Sequence, residues 1–167
     1  FGKQNTRGTF EGMQRLRPNV RPFVMTRASY AGGQRYAATW TGDNSSTWDH
    51  LRLCVEQMIN LGLSGFSYNG CDVGGFVGGA SPELLTRWYE LAAFSPVFRN
   101  HAANDAPHAE PWVDGPEHLA IRRKFIEERY RLMPYFYALA EQNARTGDPI
   151  MRPTFYDYPD ALKLGCD

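Results

Sequence analysis

Two kinds of apolar stretch alternate along the chain. In the first, apolar residues recur every three or four positions. Leu51, Val55, Met58 and Ile59 follow the cap-like Ser46 and Thr47 and run to Leu61-Gly62, the spacing of one amphipathic helix. Ser81-Pro82 and Glu83 open a second helix, in which Leu84, Leu85, Trp88, Leu91 and Ala92 build an apolar face before Pro96. A third is expected from Glu117 to Ala144, with Ile121, Phe125, Ile126, Tyr130, Met133 and Tyr137 inward and Pro134 kinking it. A shorter helix is predicted over Thr9 to Arg15, ahead of Pro18.

In the second kind the apolar residues are contiguous and bounded by Gly, Pro or Asn: Pro22 to Met25, Ala37 to Trp40, Gly65 to Tyr68 and Ser95 to Phe98. Short continuous runs interleaved with helices are the pattern of a parallel sheet covered on both faces, which predicts an α/β fold. Each run leads into a polar residue: Arg27, Asp43, Asp72 and His101. Asp43 and Asp72 are 29 residues apart, as are Asp72 and His101, close to the roughly 30 residues of one strand-helix repeat. Arg27 and Asp43 are only 16 apart, so the first crossover is expected to be abbreviated.

In a barrel of parallel strands, reactive side chains gather at the C-terminal ends, where loops vary without disturbing the core. Such a barrel needs about 250 residues. The 167 residues here, opening at Phe1 and closing at Asp167, are therefore expected to hold part of one. The predicted division is a partial (β/α)8 barrel over residues 1–147 and the start of a following β module over 148–167, because Pro149, Met151, Arg152 and Pro153 break the helical pattern.

Composition narrows the function. Lys plus Arg and Asp plus Glu are both 18, a formal net charge of zero, so no long-range field favours nucleic acid or an anionic membrane. No apolar run is long enough to span a bilayer. The 14% aromatic content suits either a large core or stacking on sugar faces. Cys54, Cys71 and Cys166 show no paired or metal-like spacing, so neither a disulfide framework nor a metal site is expected. No cofactor motif is present.

Taken singly, each polar strand-end residue has a structural explanation. Asp43 lies in a Gly-Asp-Asn turn sequence, Arg27 reads as a surface cation, Asp72 as a cap in a glycine-rich loop, and His101 as a satisfied core histidine. Their context says more. RPFVMTRASYAGGQRYAATWTGDNSSTW, Arg21 to Trp48, is similar to the segment of family 31 glycoside hydrolases that holds the catalytic acid in a Trp-x-Gly-Asp-Asn context. GFSYNGCDVGGF, FSPVFRNH, EPW and RYRLMPYFYALAEQNARTGDPIMRPTF follow, and they resemble the family's later blocks in the family's order.

The resemblance implies the C-terminal part of a (β/α)8 TIM barrel from a retaining α-glucosidase that releases non-reducing terminal glucose. Asp43 would be the general acid/base, its pKa raised by burial or a neighbouring carboxylate, with Trp40 supplying apolar surroundings. Arg27, Trp40, Asp72, Phe76 and His101 would bind the sugar. The family's nucleophile block, Trp-x-Asp-Met-Asn-Glu-like, has no counterpart. The chain alone is therefore expected to be inactive, a retaining glycosidase needing two carboxylates about 5 Å apart. An α-xylosidase, an α-galactosidase-like hydrolase, a transglucosidase and a non-catalytic carbohydrate-binding derivative of the barrel remain alternatives. The expected partners are an α-linked oligosaccharide and, over the open barrel edge, the remainder of the protein or a second copy.

Overall fold

The computed structural model describes residues 1–164; Cys166 and the end of the expected β module lie outside the described residues. Helix α1 spans Gly2–Leu16, several residues longer at its N-terminal end than the periodicity suggests. Strands β1 (Met25–Thr26) and β2 (Ala38–Trp40) are joined not by an α-helix but by a 3-10 turn over Gly33–Arg35, as the short spacing requires. Helix α2 (Trp48–Leu63) is capped by the Thr47 side chain, which accepts from the His50 amide, and α3 (Pro82–Ala92) by Ser81, which accepts from the Leu84 amide.

Between these helices, β3 (Asn69–Gly70) and β4 (Asp72–Val73) are one run interrupted at Cys71. The run faces two ways. β3 pairs in parallel with β2, Thr39 opposite Asn69, while β4 pairs in parallel with β5 (Arg99–Asn100), Asp72 opposite Arg99. With β1 beside β2, all named strands are parallel and alternate with helices, an α/β fold. The paired residues lie a few positions beyond the apolar runs. Phe23 and Tyr68, assigned to strands from hydropathy, instead meet edge to face at 6.4 Å and remain largely exposed.

The core sits between α2, β4 and α3: Cys54, Met58, Cys71, Val73, Leu84, Leu85, Trp88, Tyr89 and Ala92. Burial of Trp88 and Tyr89 supplies much of its apolar area. Cys54 and Cys71, without any pairing motif, meet here as buried free thiols.

The C-terminal helices depart from expectation. The single kinked helix is two, α4 (Pro116–Arg131) and α5 (Met133–Thr146), broken at Leu132. Pro134 falls in the first turn of α5, where its missing amide costs nothing. The predicted apolar stripe is inward only in part: Ile126 packs against the core and Phe125 against Phe94, while Ile121, Tyr130, Met133 and Tyr137 are exposed. The one buried α4 residue is Arg122. It donates to Thr86 Oγ1 at 3.0 Å, the Val113 carbonyl at 2.8 Å, the Pro82 carbonyl at 3.0 Å and Asp114 Oδ2 at 2.7 Å. This polar clamp fastens α4 to α3 beside the apolar contacts of Ile126 with the core and of Phe125 with Phe94.

Residues 148–153 carry no regular structure and are followed by α6 (Thr154–Asp157) and a 3-10 helix over Pro159–Leu164. The described part of the expected β module is thus helical, with Gly147 in the left-handed conformation ending α5.

Replacing Arg122 with Met should cost about 3–5 kcal/mol, because four acceptors lose a charged donor in a site closed to water. Denaturant titration should show this shift, while Arg123→Met on the exposed side of α4 should stay within about 0.5 kcal/mol of the unmodified protein.

Candidate active site

The predicted polar residues collect at the C-terminal ends of the strands. Arg27 follows β1, Asp43 follows β2, Asp72 opens β4 with Phe76 in the loop beyond, and His101 follows β5. Three groupings result. Arg27 Nη1 pairs with Asp43 Oδ1 at 2.7 Å. The Phe76 and His101 rings lie 5.2 Å apart at 31°. Asp72 Oδ1 accepts from Arg99 Nη2 at 2.5 Å, and the Arg99 guanidinium covers the Trp40 ring at 4.7 Å.

Asp72 is wholly inaccessible. Burial pushes its carboxyl above the usual carboxylate range and the Asp43 charge adds to this, while Arg99 and His101 pull the other way. Arg99 escaped the sequence reading as a site residue. Its signal is the strand register, which sets a basic residue directly opposite a buried acid. Around the pair, Asp72 Oδ2, Arg99 Nε and Trp40 Nε1 are buried without partners among the described residues, so the floor retains unused hydrogen-bonding capacity.

The acid loop is shaped by Gly42 at φ +90°, a conformation costly for any residue with a Cβ. It abuts the loop carrying Phe76: a Cβ on Gly75 would lie 2.6 Å from the Ser46 amide nitrogen. Asn44, also missed, is buried between the two loops. One expectation fails here. Asp43 is not enclosed: its side chain retains 43% of its accessible surface and is paired with a guanidinium. The Trp40 ring is stacked under the Arg99 guanidinium.

The family model described as "Glycosyl hydrolases family 31 TIM-barrel domain" matches residues 1–139. The chain belongs to glycoside hydrolase family 31. Alpha-glucosidase 2 of Bacillus thermoamyloliquefaciens is 46% identical over 160 residues, covering 96% of this chain and 20% of that protein. The family 31 alpha-glucosidase of Bacteroides thetaiotaomicron superposes with a TM-score of 0.92 at 45% identity, covering 98% of this chain and 28% of that one. A family 31 alpha-xylosidase from a soil metagenome, complexed with xylose, gives 0.88 at 32% identity over 95% of this chain and 27% of its own. The family 31 chain thus spans about a fifth of the curated relative's length. Its residues 140–164, beyond the matched family region, include most of α5's last turns and the two short helical segments.

Removing Arg99 as Arg99→Met leaves the Asp72 carboxylate buried without its countercharge. Its folded-state pKa then rises further above that of the unfolded chain, so stability falls as pH climbs through the new value and recovers as the acid is protonated. The expected loss is about 3 kcal/mol at pH 7 and clearly smaller at pH 5. Denaturant midpoints at the two pH values measure it.

Proposed function

We propose that this chain carries the acid/base part of a retaining α-glucosidase site, on the C-terminal strands of a (β/α)8 barrel, and that the nucleophilic carboxylate comes from another part of the full polypeptide. The observation that carries the reading is the gathering of Asp43, Arg27, Asp72, Phe76 and His101 at the C-terminal ends of parallel strands. A guanidinium, an imidazole and flat rings around a carboxylic acid suit a sugar: donors for its hydroxyls, apolar walls for its faces, and a proton for its leaving group. The similarity to proteins named alpha-glucosidases supports glucose over other sugars.

In this reading Asp43 protonates the departing glycosidic oxygen. It then takes a proton from the water that releases the sugar from the covalent intermediate. Arg27, exchangeably paired with Asp43, donates to a sugar hydroxyl. Trp40, held by Arg99, is the pocket floor beside Asp72, and Phe76 and His101 form a wall. The enclosure Asp43 needs is supplied by the remainder of the protein. An apolar groove of about 740 Å³ lined by Phe23, Tyr68, Met133, Phe136 and Tyr137 is a second surface suited to that remainder, or to another copy of the chain.

The full polypeptide should hydrolyse an aryl α-glucoside faster than the matching α-xyloside, with α-glucose as the first product by NMR. Asp43→Asn should lower turnover of an α-linked disaccharide about 10³-fold, and the isolated 167-residue chain should show none. A variant keeping a tenth or more of the unmodified rate would remove Asp43 from the chemistry.

A further inference from the structure

We propose that Asn44 is the positioning residue of the site, a buried clasp that fixes the acid loop against the Phe76 loop so that Asp43 meets the leaving group. The proposal rests on the acid/base reading of Asp43.

Asn44 is 7% exposed, and its amide is used on both ends. Nδ2 donates to the Asp72 carbonyl at 3.3 Å and to Cys54 Sγ at 3.4 Å. Oδ1 accepts from the Phe76 amide at 3.2 Å. The main chain adds to this: the Asn44 carbonyl accepts from the Phe76 amide at 2.7 Å and the Val77 amide at 3.0 Å, and the Ser46 amide donates to the Val77 carbonyl at 3.0 Å. One residue thereby touches α2 through Cys54, β4 through Asp72 and the loop of Phe76. Asp43 itself has no comparable anchor, since its partner Arg27 is more than half exposed.

Exposed ion pairs hold geometry weakly, whereas a fully satisfied buried amide is directional on every bond. Asn44 is also the only link through side-chain atoms between Asp43's turn and the Asp72–Arg99 floor among the described hydrogen bonds. A turn that slips by 1 Å mis-sets proton delivery without emptying the pocket.

The test compares two substrates in the full polypeptide. An α-linked disaccharide needs its leaving oxygen protonated, whereas α-glucosyl fluoride, whose fluoride leaves with little proton help, does not. Asn44→Asp keeps the side-chain shape and the acceptor toward Phe76 but cannot donate to the Asp72 carbonyl. It should lower kcat/KM for the disaccharide about 100-fold and for the fluoride less than about 5-fold. Equal losses on both substrates would make Asn44 a merely structural residue and overturn the proposal, as would no loss on either.

Hydrogen exchange followed by mass spectrometry gives a second readout, independent of turnover. In Asn44→Asp, segments 41–46 and 74–77 should exchange faster together while 84–92 is unchanged; unchanged exchange in the two loops overturns the clasp. If the unmodified protein shows no Asp43-dependent turnover, the acid/base reading fails and the exchange result still decides whether Asn44 holds both loops. Should Asn44→Asp not fold, Asn44→Ala, which removes the same donor, carries both measurements.

Discussion

A carboxylate that water never reaches is tolerable only beside a countercharge, and in this chain that requirement joins two strands and reaches a third. Asp72 and Arg99 face each other across the parallel β4–β5 pair. A shift of register by one residue would part them and leave both desolvated charges unpaired, a cost of several kcal/mol. The same register sets Phe76 and His101 ring against ring a few residues further on. Arg99 then spreads over Trp40 of β2, so one guanidinium ties the ends of β2, β4 and β5 into a single floor. A buried pair adds little net stability; its value here is that it allows one alignment of the strand ends and no other.

The same economy recurs away from the site. Arg122 fastens α4 to α3 and to the loop at Val113 and Asp114, and Arg129 donates to the carbonyls of Ala93, Ser95 and Pro96 just past the end of α3. Buried main-chain carbonyls outside the regular ladders need donors, and here long cationic side chains from α4 reach those of the loops at Val113 and at Ser95 and Pro96. Asn69 acts likewise, donating to the carbonyls of Met58 and Phe66 where α2 turns into β3. Loops that carry site residues are therefore tied by directional bonds to main-chain oxygens, while apolar packing is concentrated in the layer of α2, β4 and α3.

This division explains what could be read from sequence. Helices α2 and α3 announce themselves because apolar packing builds them, and periodicity reports apolar packing; their caps at Thr47 and Ser81 fell where hydroxyl residues precede the runs. Helix α4 misled because its docking residue is Arg122, and no hydropathy pattern marks a buried cation. Strand positions were offset for a related reason: hydrogen-bond register, not hydrophobicity, decides which residues pair, so polar Asn69, Asp72 and Arg99 are paired across strands while Tyr68 contributes only its carbonyl, which accepts from the Thr39 amide at 3.1 Å. Four of the six candidate residues, Arg27, Asp43, Asp72 and His101, drew attention by their places after apolar runs, and Trp40 and Phe76 by motif resemblance alone. Arg99 and Asn44 were not, since both act through partners 27 and 28 or more residues away that only folding brings near.

The openness of Asp43 follows from the same separation. A floor built on a buried carboxylate paired with one guanidinium fixes the strand ends, and it leaves Asp43 to be oriented by its turn: Gly42 in the left-handed region before it and Asn44 anchored behind it. The exposed pair with Arg27 is worth at most about 1 kcal/mol, so the guanidinium can leave the carboxylate at small cost. Had Asp43 been sealed beside Arg27 instead, entry of a substrate would strand a charge and the pair would resist opening. A weak, exchangeable contact at Asp43 over the Asp72–Arg99 pair beneath it means that Asp43 can change partners without disturbing the strand ends.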